Sequence, residues 1–263
     1  MYLCALYHEP FIIERMVEIM TKLFLRLMVI AFLTIFTGQA MAWHDKTHVA
    51  TAKAAGYEYW FNAAGADITK LKAGDKEGNN HYFDNFKGET IDSKIVLDQA
   101  KLYNCPEDKD EGHLYGAIIA SIREYGKLIN TGKYAGYHMA FAAHYIGDLS
   151  MPNHNIPYMI KDGFPNNKDE ALKWHLDNDG VVESTVFNQI DEITKRMYII
   201  TLRDDQFEAD LSAEIARIAN LSRDLGENLR AGRRIMKQEE AFIQLGHSAS
   251  LLKAVLEYYS RKK

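Results

Sequence analysis

The chain is poor in the residues that would stabilise it covalently or mark several familiar chemistries. It has two cysteines, Cys4 and Cys105, and the first lies in a segment expected to be removed. That leaves Cys105 alone and excludes an intramolecular disulfide. No basic tract stands out, because 31 Lys and Arg are interspersed with 36 Asp and Glu for a net charge of -5. A polycationic strip for non-specific nucleic-acid binding is therefore absent. There is no Gly-rich phosphate loop, no Gly-x-Ser-x-Gly elbow and no internal repeat. Alternating strand patterns are also missing, apart from the short strand-like run Met197-Tyr198-Ile199-Ile200-Thr201.

The longest apolar run, Leu23 through Phe36, carries Arg26 and is too short to span a bilayer, which takes about 20 residues. It is preceded by Lys22 and followed by Ala40-Met41-Ala42, the layout of a secretory signal peptide with its cleavage site. Residues 1–42 are thus expected to be a leader, with Met20 as an alternative start, and the mature protein is expected to begin at Trp43. Such a protein would be periplasmic or secreted. Residues 43–263 suit one domain able to bury its own core.

Apolar residues recur at helical spacing along most of that domain. Helices are expected over Thr47 to Ala63, Ile91 to Tyr103, Gly112 to Asn130 and Lys133 to Leu149, then Asn167 to Val186, Asp210 to Leu229 and Glu239 to Tyr259. Between Ala64 and Thr90, four glycines among polar residues predict a long loop. Pro152, Pro157 and Pro165 predict an irregular crossing after the fourth helix. The fold class that follows is all-α.

Chemistry concentrates in two pairs. His144 and Asp148 are four residues apart, so a helix places them on one face, and Pro152 then lets the chain turn His154 back toward them. His175 and Asp179 repeat the spacing. A single His-x-x-x-Asp pair is most simply a surface ion pair. Two in series with a further histidine point to metal, which satisfies several buried His and Asp side chains at once.

Taken in order, Trp43, His48, an Asp ahead of Asn80-His81-Tyr82-Phe83-Asp84, then His144, Asp148, His154, His175 and Asp179 resemble the bacterial zinc-dependent phospholipases C. They also resemble the structurally related S1/P1-type nucleases. The resemblance spans about residues 43–183. It implies a compact multi-helix domain with a metal-cluster cleft holding three zinc ions. One would be bound by the loop Asp, His81, His144 and Asp148, and another by His154, His175 and Asp179. The third would take the α-amino nitrogen and carbonyl oxygen of Trp43, with His48 and Asp148. Asp67, 14 residues ahead of His81, fits the family spacing for the loop carboxylate, and Asp75, six ahead, is the alternative. That carboxylate, Asp67 on the favoured assignment, would orient the attacking water or act as its base. His44, His113, His138 and His247 have no counterpart and read as surface or packed side chains.

The expected activity is hydrolysis of a phospholipid to diacylglycerol and a phosphorylated head group. The Asn80 to Asp84 run and His144-Tyr-Ile-Gly-Asp148 resemble phospholipase forms. A nuclease is the alternative, favoured by the five-residue Trp43 to His48 spacing and by Asp179 where phospholipases have Glu. A non-catalytic zinc-binding exported protein is the third reading. Where choline-selective relatives carry an acidic residue, three places after the Trp, this chain has Lys46, which leaves head-group choice open. The partners implied are a phospholipid or other phosphodiester substrate and a transient membrane surface, with no stable protein partner.

Overall fold

The computed structural model describes residues 43–104, 111–131, 133–161 and 163–262. The expected leader, its cleavage point and Cys105 lie outside the described residues. What is described is all-α: ten α-helices, short 3-10 turns and one isolated bridge between Phe83 and Gly112, with no strand among the described residues. Helices are α1 Asp45–Ala54, α2 Gly65–Ala73, α3 Asp75–Gly78, α4 Ser93–Gln99 and α5 Leu114–Leu128. They continue with α6 Ala135–Leu149, α7 Lys168–Asp179, α8 Ile190–Thr194, α9 Phe207–Ala231 and α10 Gln238–Ser260.

The spine is α6. Every side chain from Met139 to Leu149 is buried, and the small residues Ala140, Ala142, Ala143 and Gly147 let neighbouring helices come close. α5 packs against it, with Leu114, Ile118, Ile119 and Ile122 buried. Of the stripe Leu211, Ile215, Ile218, Leu221, Leu225 and Leu229 that the sequence puts on the long helix α9, Leu221 alone is exposed and Leu225 is partly buried, while the other four are buried. α10 anchors to the spine through the Ser248 hydroxyl, which donates to the Ile146 carbonyl.

The expected first helix is shorter than its composition indicates. α1 ends at Ala54, because Gly56 takes a left-handed φ of 80°, and a 3-10 turn at Trp60–Ala64 follows. The expected long loop after it is a second departure. Residues 65–73 are helical, and Gly74, at φ 58° and ψ -138°, a conformation open mainly to glycine, stops that helix. The glycines that looked like loop composition punctuate two short helices, so Asp67 stands on a helix rather than in a loop.

Two polar devices set the spatial relation of the functional segments. Glu183, in the turns after α7, accepts from the backbone amides of Lys46 (3.1 Å) and Thr47 (3.0 Å) and from the Thr47 hydroxyl (2.8 Å). A carboxylate at a helix N-terminus satisfies amides that lack intrahelical partners and complements the helix dipole. At the other end of the spine, Pro152 opens a 3-10 turn, Pro152–Asn155. The buried Asn155 amide donates to the carbonyls of Leu149 (3.0 Å), at the end of α6, and of Met151 (2.8 Å), just beyond it. The chain is thereby turned back on itself, and His154 with it.

Candidate metal centre

Among the described residues, three buried groups of His and Asp side chains can hold metal ions: His48 with His144 and Asp148, Asp67 with His81 and His144, and His154 with His175 and Asp179. They come from the helices α1, α2, α6 and α7, from the loop carrying His81 and from the turn after α6. The four-residue spacings do what a helix dictates. His144 and Asp148 lie one turn apart on α6 with Nε2 to Oδ2 at 3.4 Å, and His175 and Asp179 lie one turn apart on α7 with Nε2 to Oδ2 at 3.2 Å.

Asp148 is the hub. Its Oδ2 lies 2.9 Å from His81 Nδ1, and its Oδ1 lies 3.2 Å from His48 Nε2 and 3.9 Å from His154 Nδ1. The two oxygens therefore face different neighbours. His144 donates from Nδ1 to the Ala63 carbonyl (2.7 Å), so a single lone pair, on Nε2, remains to face inward. That nitrogen is 3.2 Å from His81 Nδ1 and 3.7 Å from Asp67 Oδ2, which assigns it to the Asp67–His81 side. His48 stacks flat on His144, ring centroids 3.7 Å apart, and is left with Asp148 Oδ1. Across the centre, His154 donates to the His81 carbonyl and directs Nε2 to within 3.1 Å of His175 Nε2.

Several of these atoms are buried with no hydrogen bond inside the protein: both ring nitrogens of His48, both oxygens of Asp67 and of Asp179, and Oδ1 of Asp148. Buried carboxylate oxygens are rarely left so, and the donors converge on shared points. The arrangement fits a set of cation ligands better than a set of ion pairs. Lys70, one turn after Asp67, brings Nζ within 3.0 Å of Asp67 Oδ1, close enough for an ion pair though without hydrogen-bond geometry.

Burial dominates the protonation states. It holds His48 and His144 down to about 4 and His175 down to about 3, and it depresses His81 and His154 well below the usual imidazole value. All five rings are thus neutral near pH 7, the state in which imidazole offers a lone pair. Burial raises Asp148 and Asp179 well above the usual carboxyl range. Asp67 goes the other way: burial opposes its charge, but His144 and then Lys70 outweigh that and hold it down to about 2.

The side chains put forward from the sequence as ligands, His48, Asp67, His81, His144, Asp148, His154, His175 and Asp179, fall into these groups, and the side chain of Asp75 lies outside the described part. Trp43 is fully buried, its indole nitrogen without a hydrogen bond, three residues before Lys46, the first residue that Glu183 holds. Sequence reasoning missed Lys70, Glu183 and Gly147. A Cβ on Gly147 would lie 2.4 Å from His48 Nδ1, so the ring packs into space that only glycine leaves. The signal was present, since an isolated glycine inside a helical pattern commonly has a packing reason. Gly147→Ala adds about 1 kcal/mol of helix propensity. It is nonetheless expected to push His48 off Asp148 and lower the bound-metal count with helicity unchanged. An unchanged count by elemental analysis would remove His48 from the centre.

No protein-family model, no curated protein and no solved structure matches the chain, so the geometry above is the ground for a functional reading.

Proposed function

We propose that the protein is an exported zinc-dependent phosphodiesterase, a phospholipase C that hydrolyses phospholipid to diacylglycerol and a phosphorylated head group. The observation that carries this reading is the contiguity of three buried His/Asp groups around one carboxylate, Asp148. Neutral imidazoles and carboxylates are the donor set of zinc, and hard-cation sites would be richer in oxygen. Asp67, His81, His144 and Asp148 Oδ2 would hold one ion. His154, His175 and Asp179 would hold another, and His48 with Asp148 Oδ1 and the Trp43 terminus a third. Bound there, zinc supplies Lewis acidity to water and to phosphoryl oxygens.

The protein's own groups do the rest. Asp67 serves to orient a water by accepting its hydrogen bond, or to act as its base. Lys70 adds a fixed cation beside Asp67, suited to a phosphoryl oxygen. In the overall reaction the phosphorus–oxygen bond to glycerol breaks, a water oxygen takes its place, and the released glycerol oxygen ends protonated.

The test is a substrate panel with zinc-loaded protein starting at Trp43, comparing phospholipids of several head groups with single-stranded DNA and RNA. Faster turnover of phospholipid is the expected result. Preference for single strands would instead favour the nuclease reading, which the Trp43 to His48 spacing and Asp179 support. Zinc binding with no turnover of any phosphodiester would leave a non-catalytic zinc protein.

A further inference from the structure

The imidazoles of the centre with a well-defined outer partner follow one pattern. His144 and His154 each donate from Nδ1 to a backbone carbonyl and present Nε2 inward. His81 is turned the opposite way. Its Nδ1 lies 2.9 Å from Asp148 Oδ2 and faces His144 Nε2, so Nε2 points away from the centre, 3.5 Å from Oε1 of Glu77, within ion-pair reach but without a hydrogen bond.

Glu77 is buried, with 4% of its surface exposed, and is gripped from two further sides. The Tyr145 hydroxyl donates to Oε1 at 2.6 Å, and the Asn80 amide donates to Oε2 at 3.1 Å. Asn80 is itself fixed by His113, whose Nε2 lies 2.8 Å from Asn80 Oδ1. Tyr145 follows His144 in the chain, and Asn80 precedes His81. The residues that hold Glu77 are thus neighbours in sequence of the two rings that meet at the centre. Burial pushes the Glu77 carboxyl up to about 7, and the hydrogen bonds from Tyr145 and Asn80 pull it back. An oxygen of either form accepts an N–H.

We propose that Glu77 is a positioning residue that keeps the His81 proton on Nε2 and so keeps the Nδ1 lone pair turned toward Asp67, His144 and Asp148. This rests on the metal reading above. Outer partners of this type fix tautomer and ring orientation, and losing one typically costs about 10–100-fold in metal affinity. The competing arrangement places the proton on Nδ1, donated to Asp148 Oδ2, and gives Glu77 no such role.

The experiment combines two readouts on the full chain, wild type and Glu77→Met, with zinc alone as the probe. In ¹⁵N-histidine-labelled protein the His81 proton is expected on Nε2 in the wild type, with and without zinc. Methionine keeps most of the size of the side chain but offers His81 no strong acceptor. The Nε2 tautomer should therefore be lost in the variant, and chelator competition should show one zinc held about 10–100-fold more weakly. Zinc at His154, His175 and Asp179 should be unaffected. A wild-type proton on Nδ1, or a variant with unchanged tautomer and unchanged zinc affinity, overturns the proposal. Should the wild type bind no zinc, the functional reading falls, while the tautomer in metal-free protein still decides the role of Glu77. Should the variant not fold, the wild-type tautomer decides alone.

Discussion

Asp148→Ala is expected to cost the protein more than one zinc ion and to lower phosphodiesterase activity by more than about 100-fold, beyond the usual effect of losing a supporting partner. The reason is the division of labour between its two oxygens. Oδ2 faces His81 and His144, whereas Oδ1 faces His48, so one deletion strips a ligand from two ion positions together. Asp179 makes the informative contrast. It belongs to a single group, and its removal is expected to cost one ion. Helicity should survive in both variants, because the spine is packed by Ile146, Leu149 and their neighbours irrespective of the carboxyl. Elemental analysis of the two purified variants decides the matter, and a full zinc complement in Asp148→Ala would end the bridging role.

A protein beginning Met-Trp43 is expected to fold with the same helicity but to carry less zinc and turn over far more slowly than one beginning at Trp43. His144 has one inward lone pair, and it points to the Asp67–His81 side. His48 and Asp148 Oδ1 alone remain for the position beside them, and zinc normally takes three or four ligands. A free α-amino group, titrating near about 8, gives up its proton to zinc, whereas the same nitrogen in an amide is not basic. One residue in front of Trp43 is therefore enough to remove the ligand. The comparison needs two preparations of otherwise identical sequence, and equal zinc content and turnover would take the terminus out of the centre.

The helices with a long apolar period were legible, because a stripe such as Leu211, Ile215, Ile218 and Leu229 is a property of the sequence alone. So were the pairs His144/Asp148 and His175/Asp179, since helical geometry fixes their proximity. What could not be read was how separate segments meet. That His48 stacks on His144 depends on the absence of a side chain at Gly147, and no local pattern announces such a fit. α2 was hidden for a different reason. It is short, its flanks are glycines, and a nine-residue helix gains its stability from packing rather than from propensity. Missing it also hid Lys70, whose place beside Asp67 follows at once from a helical turn. Glu183 was invisible because it acts through space on backbone amides that carry no sequence signature, whereas Glu77, four residues ahead of His81, was hidden with the short helices around Gly74.

The contact between Glu183 and the start of α1 also sets an order of events during folding. It joins residues 136 and 137 positions apart in the chain, so it cannot form until the polypeptide has been made past residue 183. Closing a loop of that length costs roughly 4 kcal/mol in chain entropy, before any strain, and contacts of this kind form late and slowly. The spine, by contrast, assembles from α5 and α6, which follow one another closely in the sequence. The amino end of the first helix is thus capped only after residue 183 has been made, whereas the pairing of α5 with α6 can begin before that.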